Sequence, residues 1–191
     1  MALSLVEPAI RVVVDVTFMR IAAAPAGPGV ALPADVSLQQ LPHCSVPFYR
    51  YLYNTVGQDH VWWLRRAASD GEIATILGDP AVSIHVLYRN NEPAGFFELE
   101  RRRSTGTTNI AYFGLLPHAV GQGLGTAFLR EAIDAAWSGE TTLVTVNTCT
   151  ADHPRALPNY LAAGFTKLRT VREVWPVPVR LGLRVPDRLL A

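Results

Sequence analysis

With 191 residues, 49% of them hydrophobic and 17% charged, the chain is too apolar to be disordered and long enough to bury one proper core. A formal net charge of +1 excludes a global field steering it to nucleic acid or an anionic membrane, so neither partner is expected. Two cysteines, Cys44 and Cys149, are too few for a disulfide framework and stand in no metal-ligand spacing, so reduced thiols and no metal are expected.

The chain opens on Met1–Ile10, which holds Glu7 and Pro8 and lacks a basic segment followed by an apolar core, so no signal peptide is expected. No apolar run approaches the ~18 residues that span a bilayer. One soluble, cytoplasmic domain over 1–191 is the expectation. Arg11–Ile21, rich in β-branched residues, reads as a long first strand. Ala22–Pro47 is a connector full of Ala, Pro and Gly, long enough to suggest a covering or functional loop. Phe48–Val56, Asp59–Ala68 and Asp70–Leu77 carry helical spacing, with Asp59 and Ser69 as N-caps.

Val82–Tyr88, Gly95–Arg101 and Asn109–Leu116 follow as three strands joined by short polar turns, which makes an antiparallel meander. From Gly123 to Trp137 the period becomes helical, with Leu124, Phe128, Leu129, Ala132, Ile133 and Ala136 on one apolar face. Thr141–Val146 reads as a buried strand, parallel to the one before Gly121 because a helix links them. Pro154–Ala163 is a helix closed by Gly164, and Phe165–Val174 a last strand. Pro176–Ala191 is a tail with no assigned place.

The stretch Gly121-Gln122-Gly123-Leu124-Gly125-Thr126 leaves a strand and opens a helix. Glycines at alternate positions let the backbone turn sharply and approach a ligand with no Cβ in the way. The helix behind them offers unpaired N–H groups and the positive end of its dipole, which suits a phosphate or pyrophosphate. The competing reading is a turn that is glycine-rich only for tight strand–helix packing, and the motif alone does not separate the two. No lysine closes the loop as a phosphate-binding Gly-Lys-Ser/Thr would, and the spacing is not the dinucleotide G-x-G-x-x-G.

This stretch resembles the acetyl-CoA motif of the GNAT N-acetyltransferases, Arg/Gln-x-x-Gly-x-Gly/Ala, with Gly123 and Gly125 in the two glycine places and Val120 where Arg or Gln is usual. Downstream, Ala156, Tyr160, Gly164 and Phe165 keep the family's spacing, while His153 stands in the place of an Asn. The similarity is strongest over Val82–Phe165 and looks like one bacterial branch of the family. It implies an α/β (α+β) fold: a mixed, mainly antiparallel sheet of about six or seven strands flanked by helices, with Arg11–Ile21 as its first strand. A splayed parallel strand pair would hold the pantetheine arm against the backbone of Phe113, Gly114 and Leu115. The Leu115 N–H is then placed to polarise the thioester carbonyl. The pyrophosphate would sit on main-chain N–H groups of residues 121–126.

The reaction implied is direct transfer of acetyl from acetyl-CoA to the primary amine of a small molecule or peptide. Tyr160 matches the general acid that protonates the leaving thiolate; a helix aromatic facing the core is the competing reading. Some members place a Glu where this chain has Asn109, so Glu98, on the neighbouring strand, is the candidate base, against a solvated strand carboxylate or a water relay. Glu100 and Arg101-Arg102-Arg103 read as a surface ion pair and a solvated strand end. His118 and His153 read as elements of the cofactor turn and of a helix start. Asn147 and Thr148 end a strand where the acceptor should sit, and of the adjacent Trp62 and Trp63 one should face the pocket as an aromatic wall. The different class to weigh is a non-catalytic acyl-CoA sensor in the same cleft, and the Pro-containing tail leaves room for a homodimer.

Overall fold

The computed structural model describes residues 7–191, so most of the Met1–Ile10 reading lies outside the described residues. In chain order its elements are β1 (Ala9–Ile21), β2 (Val36–Leu41), α1 (Val46–Val56), α2 (Leu64–Ala67), α3 (Asp70–Gly78), β3 (Val82–Arg89), β4 (Glu92–Arg102), β5 (Thr107–Leu115), α4 (Leu124–Ala136), β6 (Leu143–Cys149), α5 (Ala156–Ala162) and β7 (Thr166–Pro178). The strands form one sheet in the order β2-β3-β4-β5-β6-β1-β7. Every neighbouring pair is antiparallel except β5 and β6. This is the mixed, mainly antiparallel sheet expected, with helices on both faces.

The helix period read from Leu124, Phe128, Leu129, Ala132, Ile133 and Ala136 holds residue by residue, since all six are buried under the sheet. A second core lies on the opposite face, where Tyr49, Leu52, Tyr53 and Val56 of α1 and Ile73 of α3 meet Ile84, Val86 and Phe96. The Ser69 cap is a complete capping box: Ser69 Oγ accepts from the Glu72 N–H, and Glu72 Oε2 accepts from the Ser69 N–H. Such a box is worth about 1 kcal/mol to its helix.

Four expectations change. The connector 22–47 holds a strand, β2, paired with β3 from Val36↔Arg89 to Leu41↔Ile84, and α1 already begins at Val46 behind the Ser45 cap. Six residues at a sheet edge, with Ser and Gln outward, give too weak an alternation to stand out beside the Pro/Gly run. The helix expected over Asp59–Ala68 is broken: Asp59 ends a single 3-10 turn, Val61 adopts φ 54°, and only Leu64–Ala67 is helical. A β-branched residue in the left-handed region interrupts any right-handed helix.

The long first strand read over Arg11–Ile21 is β1, and its place in the sheet is between the last two strands. It runs between β6 and β7, from Val16↔Cys149 to Ile21↔Val144 on one side and from Ala9↔Pro178 to Arg20↔Thr166 on the other. With both edges paired, Val12, Val14, Val16, Thr17 and Met19 are all buried, which is why the segment reads as a nearly unbroken apolar run. The third change is that the tail is part of the domain. β7 extends to Pro178, Leu189 is buried in a third cluster with Val12, Val14 and Val177, and Leu190 bridges Val12. Fourth, Arg101, expected at a solvated strand end, donates to the carbonyls of Ala135 and Ser138 at 2.8 and 3.0 Å and so closes the C-terminal end of α4.

His85 on β3 is buried in a stack on Phe97, with ring centroids 4.4 Å apart. Burial, helped by the charge of Arg101, depresses its pKa from 6.5 to about 4. The folded state therefore keeps His85 neutral where the unfolded chain takes up a proton. Its contribution to stability is intact above pH 6.5 and is lost as pH falls from 6.5 towards 4, by up to about 3 kcal/mol. Denaturant titrations of the wild type and His85→Gln across this range will show the acid-side loss to be smaller in the variant.

Candidate active site

The site begins where one strand pair comes apart. β5 pairs with β6 from Thr107↔Leu143 to Ile110↔Val146 and no further, although β5 continues to Leu115 and β6 to Cys149. On its other edge β5 keeps pairing with β4, but the register steps from Leu99↔Ile110 to Glu98↔Tyr112 and leaves Ala111 unmatched. That extra residue is a bulge, which bends its strand and increases the local twist. Beyond it the two parallel strands diverge around a cavity of about 1030 Å³, within which Ala111–Leu115 form one wall.

The wall is a row of unused backbone groups. The Leu116 N–H donates to the Ala94 carbonyl of β4 at 2.8 Å. Successive peptide groups of an extended strand point to opposite edges, so the N–H groups of Leu115 and Phe113 face the opening. Gly114 has a separate reason to lack a side chain, because a Cβ there would lie 2.4 Å from Val56 Cγ1 of α1.

At the end of β5 a 3-10 turn, Pro117–Ala119, leads into the glycine loop. Gly121 and Gly123 adopt φ of 82° and 79°, and Gly123 is the N-cap of α4 with no side chain capping the helix. A Cβ on Gly121, Gly123 or Gly125 would meet nothing of the protein within 4 Å. Tight packing is therefore not the reason for these glycines. Positive φ explains the first two; at Gly125 a side chain would occupy open cavity. The loop leaves the first N–H groups of a 13-residue helix at the wall of the cavity. The Gln122 side chain does not line the cavity; it donates to the His118 carbonyl at 2.6 Å and accepts from Arg89, bracing the loop from outside. Val120, 46% exposed, brings no charge.

Across the opening, Tyr160 of α5 is 6% exposed and packs edge-on to Phe113 and Phe165, at centroid distances of 6.3 and 5.7 Å. Burial, with the Asp152 charge adding to it, raises the pKa of its phenol, so the proton stays on oxygen at neutral pH. Asp152 itself lines the cavity at the end of β6, held by Thr148 Oγ1 at 2.7 Å, the Cys149 N–H at 2.9 Å and Trp62 Nε1 at 3.3 Å. The Cys149 thiol is pushed up to about 12 by burial and by Asp152, so it is no nucleophile.

The remaining walls gather residues from far apart in the chain. Asn147, Trp62 and Trp63 all line the cavity. Both tryptophans can do so because neither sits inside a helix: the left-handed Val61 turns the chain and Trp63 only caps α2. Gly57 accommodates this turn, since a Cβ there would lie 2.3 Å from the Trp62 Cβ. Sequence reasoning did not single out Phe18 of β1, Asp152, or Glu173 and Trp175 of β7 as wall residues. The long-range pairing of β1 with β7 brings Phe18, Glu173 and Trp175 there, and the turn after β6 brings Asp152. His153 and His60 lie at the rim with rings 6.3 Å apart, and His118 is outside the cavity.

Glu98 does not face the cleft. It is fully buried behind Tyr112, accepting from the Tyr49 hydroxyl at 2.5 Å and from Arg65 at 2.8 Å. Burial pushes its carboxyl above the usual range, opposed by Arg65 and the Tyr49 hydrogen bond. Arg65 also reaches Glu100 at 3.5 Å and lies over the Tyr112 ring at 5.4 Å, so the network braces a cavity wall from behind. Alternation placed Glu98 on one face of its strand, but Tyr49 of α1 and Arg65 of α2 cover that face.

Residues 41–165, more than half of the chain, match the model of the acetyltransferase (GNAT) family. The chain belongs to that family. Its fold is similar to that of a GCN5-related N-acetyltransferase from Sphaerobacter thermophilus, at TM-score 0.64 and 14% identity, covering 90% of this chain and 53% of that one. It is also similar to a tandem GNAT protein from the clavulanic acid biosynthesis pathway, at TM-score 0.61 and 16% identity, covering 88% and 55%. An aminoglycoside acetyltransferase from an uncultured soil metagenomic sample aligns at TM-score 0.58 and 14% identity, over 74% of this chain and 95% of that one. The chain thus spans little more than half the length of the first two, and at these identities the likeness is one of fold. A search of curated protein sequences gave no match.

Two measurements follow from this geometry. Gly125→Val should leave folding stability within about 1 kcal/mol, because its side chain meets no protein atom. It should weaken CoA binding at least about tenfold in calorimetry, more than any substitution of Val120. Glu98→Ala, which strands Arg65 without its buried partner, should cost roughly 3–5 kcal/mol in denaturant unfolding.

Proposed function

We propose that the protein transfers the acetyl group of acetyl-CoA directly to a primary amine bound across the cleft from Tyr160. The observation that carries this reading is the opening of β5 from β6 at Ile110, directly in front of the glycine loop. A pantetheine arm laid along Phe113–Leu115 would pair with the outward N–H groups and take the place of the missing strand. Its pyrophosphate would lie on the N–H groups of Gly123–Thr126, where the helix dipole favours negative charge. CoA supplies the activated thioester; the chain's own residues position, polarise and protonate.

The Leu115 N–H, in a wall partly shielded from water, is suited to stabilise negative charge developing on the thioester oxygen. The amine attacks the carbonyl carbon, the carbon–sulfur bond breaks, and the departing sulfur takes the proton of the Tyr160 hydroxyl. The Tyr160 hydroxyl makes no hydrogen bond with another protein group among the described residues, which leaves it for that contact. The proton lost by the amine passes to water in the open cleft or to Asp152, whose Oδ1 accepts only the long contact from Trp62, and water returns a proton to the Tyr160 oxygen to close the cycle. Glu98 enters through Arg65 and Tyr112, as a positioning residue behind the wall.

Tyr160→Phe is the test. CoA affinity by calorimetry should stay within about twofold, while amine acetylation, followed by thiol release, should fall on the order of a hundredfold. An unchanged rate would remove Tyr160 from the mechanism. CoA binding without transfer to any amine in the wild type would favour the non-catalytic sensor.

A further inference from the structure

We infer that the outer edge of β7 pairs with β7 of a second copy of the chain, antiparallel and centred on Val171, so that Arg169 of each copy meets Glu173 on the cavity wall of the other. This stands apart from the acetyl-transfer reading, because it rests on strand register and charge alone.

β7 is the last strand of the sheet, and among the described residues no strand pairs with its outer edge. Thr166–Arg172 are exposed one after another, whereas a strand with one covered face alternates. Apolar side chains are part of this surface: Leu168 is 52%, Val171 36% and Val174 48% exposed. A long, partly apolar edge with unpaired N–H and carbonyl groups is a template for another strand.

The hydrogen bonds of β1 fix which groups that edge offers. Asp15, opposite Arg172, turns its peptide groups away from β7: its N–H donates to Thr150 Oγ1 at 3.1 Å, and its carbonyl accepts from the Thr150 N–H at 3.2 Å. Opposed residues of an antiparallel pair bond to each other or face away together, in alternation. Arg172 therefore presents its N–H and carbonyl to the outside, as do Thr170 and Val174. Pro176 and Pro178 take the next outward places, have no N–H to give, and end the pairing edge.

Charge chooses among the two-fold registers that these groups allow. A pairing centred on Arg172 sets that residue against Arg172 of the partner subunit. Centred on Thr170, it sets Glu173 opposite Lys167, but the register step between Phe18 and Met19 turns Lys167 to the other face of the sheet. Centred on Val171, it makes Thr170 and Arg172 hydrogen-bonded partners, packs Val171 on Val171 of the partner subunit, and sets Arg169 opposite Glu173 twice by symmetry. Opposed residues share a face with Cβ atoms about 5 Å apart, within reach of an ion pair. The guanidinium of Arg169 lies over the Phe18 ring at 5.0 Å, and Glu173 Oε2 accepts from the Trp175 indole N–H at 2.7 Å. Neither residue takes part in an ion pair among the described residues. Because Glu173 lines the cavity, the pairing brings a guanidinium of the partner subunit to the cavity wall.

Sedimentation velocity of the full chain over a concentration series tests the pairing, and the wild type should reach a dimer. Arg169→Glu alone and Glu173→Arg alone each oppose like charges twice and should raise the dissociation constant at least about tenfold. An equal mixture of these two variants restores both opposite-charge pairs and should dimerise as the wild type does, which a general loss of structure cannot produce. Val171→Lys, which sets like charges against each other at the two-fold axis, should also weaken the dimer, and decides the matter if either charge reversal prevents folding. The inference is overturned if the wild type stays monomeric, if its dimer is indifferent to these substitutions, or if the mixture of the two charge reversals stays monomeric.

Discussion

The end of the β5–β6 pairing at Ile110 and Val146 is the constraint on which the rest of the molecule is arranged. A parallel pair inside a sheet normally continues to the ends of its strands, because each unpaired peptide group taken from water costs free energy. Here Ala111 is one residue too many against β4, and the extra twist carries β5 away from β6. The result is a slot lined by backbone N–H groups in the middle of a sheet, which a single extended ligand can fill as a strand would. The same divergence delivers the chain from Leu115 into the glycine loop, so the strand edge and the helix N-terminus border one cavity.

The two ends of the chain build the other half of the site. β1 lies between β6 and β7 and carries Phe18 towards the cleft, while β7, paired along nearly the whole of β1, carries Glu173 and Trp175. The long pairing, the buried cluster of Val12, Val14 and Val177, and the return of Leu190 to Val12 make this floor rigid. The facing wall is stiffened from behind by the buried Tyr49–Glu98–Arg65 network. A charge group buried with its partners is weak evidence of stability, but it holds its neighbours in one arrangement. Val61 adds a strained turn in the same wall, which turns two adjacent tryptophans into the cavity.

The sequence by itself determined the parts whose physics is local. The meander, the apolar face of α4 from Leu124 to Ala136, the Ser69 capping box and the glycine loop all follow from periodicity, cap chemistry and backbone freedom over a few residues. The spacing of Gly123, Gly125, Ala156, Tyr160, Gly164 and Phe165 made the family legible because that motif spans a fixed helix and strand. The tertiary structure decided what depends on distant pairing. Nothing within Arg11–Ile21 states that it will lie between β6 and β7, since a strand buried on both edges looks the same wherever it is inserted. Alternation put Glu98 on a definite face of β4, but only the packing of α1 and α2 determined that this face is sealed. The cavity residues on the two outer strands were unreadable for the same reason: Phe18 of β1 and Glu173 and Trp175 of β7 share one face only through strand register, and register is fixed by the whole sheet.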